Sequence, residues 1–435
     1  PILISPYFRF MESRSSTPPP AEAHPSQGTS RRSRPADVLR ERVPTALRPA
    51  RKGRGTRVNP TGRFERARIE PDLDALANLP ELLPEEMLPE PPQEGQQRSG
   101  TGEFGDAARQ LDETWNRKTQ AIPDPSRTAI TTNRSPDIPF DASLNPYRGC
   151  EHGCAYCYAR PTHEYLGYSA GLDFETKILV KEKAPELLRR ELSAPRWKPQ
   201  VVALSGVTDA YQPMERKLEL TRRCIQVFAE FRNPITIITK NALVTRDIDL
   251  FKELNEVQAI SVTLSMTTLD PSLQRALEPR ASAPHERLRA IERLAEAGIP
   301  TSVNIAPIIP GLTDAETPAL LKAAADAGAQ HAGHIVLRLP HGVRELFDDW
   351  LMTHRPLRRE KVLHRLESLR GGERDSGKLN DPRFGSRMRG EGRFAEQISG
   401  LFNLMARKHG LDRPHPPLSA EAFRRPGGTQ LDLGI

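Results

Sequence analysis

The run "PITIITK", residues 234–240, is followed closely by "TRDIDLFKEL", residues 245–254, so a strand-like apolar segment meets an amphipathic helical one. The same pairing recurs on both sides. Upstream, "QVVALSG" (200–206) leads into "PMERKLELTRRCIQVFAEF" (213–231). Downstream, "VQAISVTLSM" (257–266) precedes "PHERLRAIERLAEAG" (284–298), "PTSVNIAPIIPG" (300–311) precedes "ETPALLKAAADAG" (316–328), and "HIVLRLP" (334–340) precedes "GVRELFDDWL" (342–351). Gly298 and Gly328 stand where a helix must end before the next strand. Strands alternating with helices over short connections call for a parallel sheet covered by helices. One more strand near Asp141–Asn145 brings the count to six βα units. Six is too few for the closed eight-stranded barrel. The expected fold class is therefore α/β, a partial (β/α)6 TIM-like barrel, with any reaction site at the C-terminal ends of its strands.

The core is expected over residues 136–350. Before it, residues 1–135 carry Pro, Ser, Gly and Arg clusters such as "STPPPAEAHPSQGTS" (16–30) and read as a disordered basic, Pro-rich region. A short helix fits Ala107–Trp115. Met11 fits a true start, with residues 1–10 an artefact of gene prediction. Between residues 31 and 70 there are thirteen Lys/Arg against four acidic residues, and between 71 and 100 seven acidic residues against one Arg. The basic block can grip nucleic-acid phosphates, though its composition equally suits a solvated arm. After the core, "RREKVLHRLESLR" (358–370) and "GRFAEQISGLFNLMARKHG" (392–410) form a helical extension over 351–425, with a flexible tail at 426–435.

Composition excludes several classes. Four cysteines in 435 residues make no disulfide framework, and no secretory signal is evident at the start, so the expected compartment is the reducing cytoplasm. No run of eighteen apolar residues is available to span a membrane.

Three of the four cysteines fall in "SLNPYRGCEHGCAYCYARPTHEYLGY" (143–168), as Cys150, Cys154 and Cys157. A compact loop with Cys-x3-Cys-x2-Cys spacing can turn three thiolates toward one metal centre, and thiolates suit zinc and iron–sulfur clusters alike. A zinc site needs a fourth ligand, for which His152 is in place. Cys224 lies on the apolar face of "TRRCIQVF" with Ile225 and Phe228 and reads as a core residue. Three thiolates on a four-iron cube leave one iron open, as a catalytic metal requires.

The cysteine spacing, with Tyr156 before the last cysteine, resembles the signature of the radical S-adenosylmethionine (SAM) superfamily, and with the βα pattern the likeness covers roughly residues 140–345. "NPYRGCEHGCAYCYARPTHEYLG", "GVTDAYQPMERKLELTR", "ITIITKN", "EPRASAPHERLRAI" and "APIIPGLTD" together resemble its spore photoproduct lyase-like branch. The resemblance implies a [4Fe–4S] cluster on Cys150, Cys154 and Cys157, and SAM cleavage to a 5′-deoxyadenosyl radical that abstracts hydrogen from substrate. It also implies a reducing partner such as flavodoxin or ferredoxin. Carried over by position, Tyr156 belongs near the adenine, Thr208 and Asp209 near the SAM amino end, and Ser265 after the fourth strand. Arg280 could pair with the SAM carboxylate, Asn304 and the turn around Gly311 approach ribose and adenine, and Lys240 points into the same mouth. One departure stands out. True spore photoproduct lyases carry a hydrogen-donating cysteine near the end of the second strand, where this chain reads "ALSGVTDAY" with Ser205. Repair of thymine photodimers is accordingly not expected, and Tyr211, just after that strand, is the residue expected to donate hydrogen in its place.

Other signals weigh less. "GERDSGK" (372–378) has P-loop spacing but follows a helix and is followed by Leu379, so it is set aside. His331 and His334 straddle a helix end and a strand start and read as ordinary polar residues. The connector carrying Arg383, Arg387, Arg389 and Arg393 with glycines suits nucleic acid or a phosphorylated substrate as well as a structural ion-pair loop. "QLDLGI" (430–435) resembles the peptide by which bacterial DNA enzymes dock on the replication sliding clamp, without its usual aromatic end. The leading reading is a radical SAM enzyme acting on an unidentified substrate, with nucleic acid as the candidate class. The alternative is a non-catalytic metal-bound nucleic-acid-binding protein using the cysteines and His152 as a zinc knuckle. Methylation or thiolation of a target is a third reading, and the lack of cysteines for a second cluster argues against thiolation.

Overall fold

Strand β7 (Ile235–Thr239) lies in the middle of a seven-stranded sheet of order β10–β9–β8–β7–β6–β3–β2. Its neighbours are β6 (Val202–Leu204) and β8 (Ile260–Met266), and beyond them lie β3 (Ala142–Leu144), β9 (Thr301–Ile308) and β10 (His331–Val336). These six strands are parallel, and β2 (Ile130–Thr132) adds antiparallel to β3. Each successive βα unit sets its strand beside the previous one, so the chain winds one way around a partial (β/α)6 barrel, as the sequence predicts. This computed structural model describes residues 53–60, 62–64, 118–372, 376–413 and 417–426.

The helices follow the apolar spacing. α4 (Leu220–Phe231) buries Cys224, Ile225, Val227 and Phe228 on one face, and α7 (Pro284–Glu296) buries Ala290, Ile291 and Leu294. Helices α5 (Ile248–Asn255), α6 (Pro271–Leu277) and α8 (Thr317–Asp326) complete the βα units, and the short α3 (Glu215–Leu218) precedes α4. Gly298 and Gly328 adopt φ of +77° and +95° just past α7 and α8, where a side chain would strain the turn. Cys224 is fully buried in the main core.

A second sheet, unforeseen in the sequence, has the order β1–β5–β4, from β1 (Gln120–Pro123), β4 (Tyr147–Arg148) and β5 (Lys177–Val180). Together with α1 (Leu172–Thr176) and α2 (Ala184–Ser193), it frames the cysteine loop from outside the barrel.

The region expected to be without packed structure, residues 1–135, is partly built into the fold. Residues 118–135 supply β1 and β2, and residues 53–60 and 62–64 lie against the cysteine loop. The rest of the basic block, the helix at Ala107–Trp115 and the clamp-like tail Gln430–Ile435 lie outside the described residues.

After the barrel, α9 (Val343–His354) runs across the expected boundary at 350. α10 (Arg359–Leu369) and α11 (Gly392–Lys408) then form the helical extension. His331 and His334 both fall inside β10, so the strand starts earlier than expected, and neither ring is part of a metal pair. His331 Nδ1 lies 2.8 Å from the Arg413 carbonyl, and His334 packs on the Phe402 ring. Among the described residues no helix is long and apolar enough to cross a membrane.

Candidate active site

The cysteine loop sits on the C-terminal rim because segments leaving three different strands hold it there. After β6, the Thr208 hydroxyl donates to Gly149 O (2.6 Å) and Gln212 Oε1 accepts from Glu151 N (2.9 Å). Past β7, Asn241 Nδ2 meets His152 Nε2 at 3.2 Å. Beyond β8, Leu277 O accepts from Ala155 N at 3.0 Å and Arg280 N donates to His152 O at 3.3 Å. Gly153 turns the loop at φ +67°, where a Cβ would lie 2.8 Å from Glu175 Oε2.

Cys150, Cys154 and Cys157 are all unpaired thiols; the first two are buried and the third is partly exposed. Burial raises the pKa of each. Cys150 is pushed up further by Asp209 and by the other two cysteines, and Cys154 by Glu278 and Cys157. Three close thiols whose ionisation is opposed by burial are suited to a cationic metal centre, which supplies the missing positive charge. Cys224 lies in the helical core away from them. Three cysteine thiols carried by one rim loop are donors of the kind an iron–sulfur cluster takes.

The zinc-knuckle alternative fails on His152. Its Nδ1 lies 3.3 Å from Asp209 Oδ2 and its Nε2 faces Asn241, so both ring nitrogens are engaged. Among the described residues no three His, Cys, Asp or Glu side chains converge on a single metal ion.

Asp209 opens a turn after β6. Its carboxylate accepts from Thr239 Oγ1 (2.7 Å), Lys240 N (2.9 Å) and Tyr211 N (2.9 Å). Burial would raise its pKa, but His152 and these hydrogen bonds hold it below the ordinary carboxylate value. The residue thus ties β6 and β7 to the loop. Ser205, at φ +80°, uses its hydroxyl to accept from Ala210 N at 2.8 Å.

Behind the cysteines lies a buried network around Glu278, which sequence reasoning missed. The Tyr156 hydroxyl and the Arg287 guanidinium both donate to its carboxylate, Thr267 Oγ1 donates to it at 2.8 Å, and Lys240 Nζ lies 3.3 Å away. Lys240 also donates to Ala306 O at 2.8 Å. Burial works against the Glu278 charge, but Arg287 and Lys240 outweigh it and leave the pKa well below the usual range. Tyr156 and Lys240, expected at the cofactor, are thus held by a carboxylate. The one signal was "EPRASAPHERLR" itself, which supplies Glu278 and Arg287 nine residues apart.

The parallel register sets Ser265 beside Asn304, and Asn304 beside Gly333, in a row across β8, β9 and β10. Arg280 Nη1 pairs with Glu151 Oε1 at 2.9 Å. Gly311 has φ +83°, and its open side faces Lys361 and Arg365 of α10, where it lines a cavity of about 680 Å³ under the helical extension. Tyr211 is fully buried, and its hydroxyl donates to Asp247 at 3.0 Å, within a network that includes Arg246 and Arg222. The structure does not bring that hydroxyl to the rim. Tyr158, which was overlooked, is there: it follows Cys157, is half exposed, and donates to Gly206 O at the end of β6 (2.7 Å).

The other missed element is the strap at 53–64. Fully buried Glu175 accepts from Gly55 N (3.0 Å), Thr56 Oγ1 (3.2 Å) and Arg160 Nη2 (2.6 Å). Arg160 in turn donates to Cys154 O at 2.9 Å. A Cβ on Gly55 would lie 1.5 Å from Gly153 O, so only glycine permits this approach. Asn59 and Asp173 exchange two hydrogen bonds of 3.0 Å, and Arg57 pairs with Asp349 on α9.

The sequence model of the radical SAM superfamily matches residues 144–324. An uncharacterized protein of Mycobacterium tuberculosis is 38% identical over 221 residues, 50% of this chain and 65% of that protein, so the match spans about two-thirds of the relative's length. An uncharacterized protein of Methanocaldococcus jannaschii is 31% identical over 201 residues, 46% of this chain and 72% of that one. A solved spore photoproduct lyase complexed with dinucleoside spore photoproduct superposes with a TM-score of 0.48 at 14% identity, covering 66% of this chain and 79% of that one.

Proposed function

This chain belongs to the radical SAM superfamily, and we propose that it is an enzyme whose Cys150, Cys154 and Cys157 hold a [4Fe–4S] cluster with one iron left for SAM. When bound, and given an electron from a reducing partner, these two groups would supply reductive SAM cleavage and hydrogen-abstraction chemistry at the rim. The observation that carries the reading is the trio of unpaired thiols on the C-terminal rim of a parallel sheet, in a loop held from three strand ends.

The protein's own residues act by holding and orienting. Asp209 and Asn241 fix His152 and with it the first half of the loop. Thr208 fixes Gly149 from below. Glu278 fixes Tyr156 and Lys240, which ties the second half of the loop to the β7 and β9 ends. We assign Ser265 and Asn304 to SAM binding because the register sets them side by side on adjacent strands. Arg280, paired with Glu151, is placed in the loop's support. Tyr158 replaces Tyr211 as the phenol nearest the chemistry, since it alone of the two is exposed at the rim.

The motif ensemble supports a place in the spore photoproduct lyase-like branch, with Ser205 arguing against photodimer repair. A nucleic-acid substrate is the class we favour, on the connector's exposed Phe384, a ring on which a base can stack and over which the Arg387 guanidinium lies at 4.5 Å. Four unpaired cysteines support work in a reducing cytoplasm with a flavodoxin- or ferredoxin-type donor. The test is anaerobic reconstitution with iron and sulfide. The protein should turn brown and release 5′-deoxyadenosine on addition of SAM and dithionite. A colourless protein that leaves SAM intact refutes the proposal.

A further inference from the structure

The partial barrel has an unclosed side between β10 and the β2–β3 edge, and the connector bridges it. On one flank Val336 N donates to Met388 O at 2.8 Å. On the other, Gly385 N donates to Asp137 Oδ1 (2.7 Å), and Arg387 pairs with Asp137 and donates to Ser135 Oγ (2.5 Å). Fully buried Arg370 spans the seam, giving hydrogen bonds to Leu337 O (2.5 Å) and Arg387 O (2.9 Å). The carboxylates here are committed: Asp137 to Gly385 and Arg387, Asp381 to Arg383 and Ser386.

Arg338 stands apart. It lies two residues beyond β10 and is partly buried, with its guanidinium 4.9 Å over the Tyr158 ring. Among the described residues it has no carboxylate or carbonyl acceptor, although a guanidinium carries five donors in a fixed fork. Burial lowers its pKa from the ordinary arginine value; Tyr158, Asp137 and Cys157 work against that shift and Arg387 with it. A partly buried guanidinium with spare donors offers an anionic ligand a charge-assisted, bidentate contact. The ring beneath it belongs to the residue after Cys157, so an anion held there lies beside the cysteine loop.

We propose that Arg338 holds a phosphate ester of the substrate at the seam of the barrel, next to Tyr158. This rests on the radical SAM reading for its claim that the occupant is substrate. Phosphate fits better than a single carboxylate. The guanidinium fork matches its oxygens bidentately, and Arg370, whose own hydrogen bonds go to backbone carbonyls, adds like charge nearby that rewards the greater charge. The ester could come from a nucleic-acid strand or from a free nucleotide.

The test uses the reconstituted full chain and three fluorescent probes: a mixed-sequence deoxydinucleotide, its uncharged methylphosphonate analogue, and a deoxynucleoside 5′-monophosphate. Each is short enough to report a local site. Binding is measured for the wild type, Arg338→Gln and Arg338→Lys. In the wild type the methylphosphonate should bind about tenfold more weakly than the dinucleotide, the size of one charge-assisted hydrogen bond. R338Q should remove that difference, and R338K should retain part of it. Coupling with the dinucleotide alone marks a nucleic-acid strand as the source, and equal coupling with the mononucleotide marks a free nucleotide. Wild type and R338Q showing the same ratio between charged and uncharged probes, or no binding of any probe by the wild type, overturns the assignment. Circular dichroism checks that R338Q is folded, and substrate-free deoxyadenosine release and iron content are measured on the wild-type sample. Their failure in the wild type would indict the radical SAM reading instead.

Discussion

Glu175→Gln tests whether the cysteine loop depends on a chain segment more than ninety residues away in sequence. Glu175 and Arg160 are both fully buried, and their pair joins the strap, through Gly55 N and Thr56, to the loop, through Cys154 O. Glutamine keeps one carbonyl acceptor but removes the charge, so Arg160 is left buried without a counter-ion. Removing one partner of a buried ion pair costs about 3–5 kcal/mol. The lower end applies here, because Arg160 retains carbonyl acceptors at Cys154, Ala170 and Gly171. At about 2 °C per kcal/mol for a large domain, E175Q should melt about 6 °C below the wild type. The same variant should lose reconstituted iron faster on desalting, and trypsin should cut after Arg54 and Arg57 sooner. The double variant Arg160→Met with Glu175→Leu should recover much of the lost melting temperature, since apolar atoms replace both charges. If E175Q melts within about 1 °C of the wild type and its strap stays protected, the coupling between strap and loop is refuted.

Cys150→Ser, Cys154→Ser and Cys157→Ser should each abolish the brown chromophore and deoxyadenosine release, whereas Cys224→Ser should keep both; visible absorbance and chromatography decide this. Glu278→Gln should cost about 3 kcal/mol in denaturant unfolding, and Tyr156→Phe, which removes one hydrogen bond, about 1 kcal/mol. His163 is fully buried with neither ring nitrogen hydrogen-bonded, and burial lowers its pKa to about 4 from 6.5. Between those values the unfolded chain takes up a proton that the folded one refuses, so stability is full above pH 6.5 and falls as the pH drops toward 4, by about 3 kcal/mol over the window. Apoprotein carrying His163→Leu should therefore lose less stability than the wild type between pH 7 and 4.5, and parallel melting curves would count against this.

The barrel was legible because each strand lies in a largely apolar segment with an amphipathic helix behind it, although polar Ser and Thr are buried in β8 and the middle of β10 is only half-buried. The cysteine trio was legible because its spacing is contained in eight residues. The strap was not. "GRGTRVNPTGRF" has almost no apolar content, and it docks through backbone amides, a glycine contact and a carboxylate far along the chain. No periodicity signals such docking. Tyr211 misled for a related reason: lying after a strand end does not fix a side chain's direction. Asp209 Oδ1 accepts from Tyr211 N, a turn in which the chain reverses and the phenol is buried against Asp247. Glu278 escaped notice because its partners come from the loop, β7 and two later segments, which only the fold assembles.

An open barrel must also deal with its edges, since unpaired strand groups invite pairing with another chain. The edge at β10 is covered from within. Val336 N donates to Met388 O, Ala332 N to Leu411 O at 3.0 Å, and His331 bridges to Asp412. The opposite edge ends in the short antiparallel β2, whose Ile130 amide, with that of Ala129 before it, is capped by Glu191. Both edges are therefore satisfied without closing the sheet on itself, so the gap between them costs little to keep. What spans the gap is a connector rich in glycine and arginine, with few apolar side chains of its own to bury. A segment of that kind can yield to a bulky ligand more cheaply than a seventh and eighth βα unit could. The C-terminal extension thus protects the last strand and leaves the rim approachable from the side on which Tyr158 is exposed and Arg338 partly so.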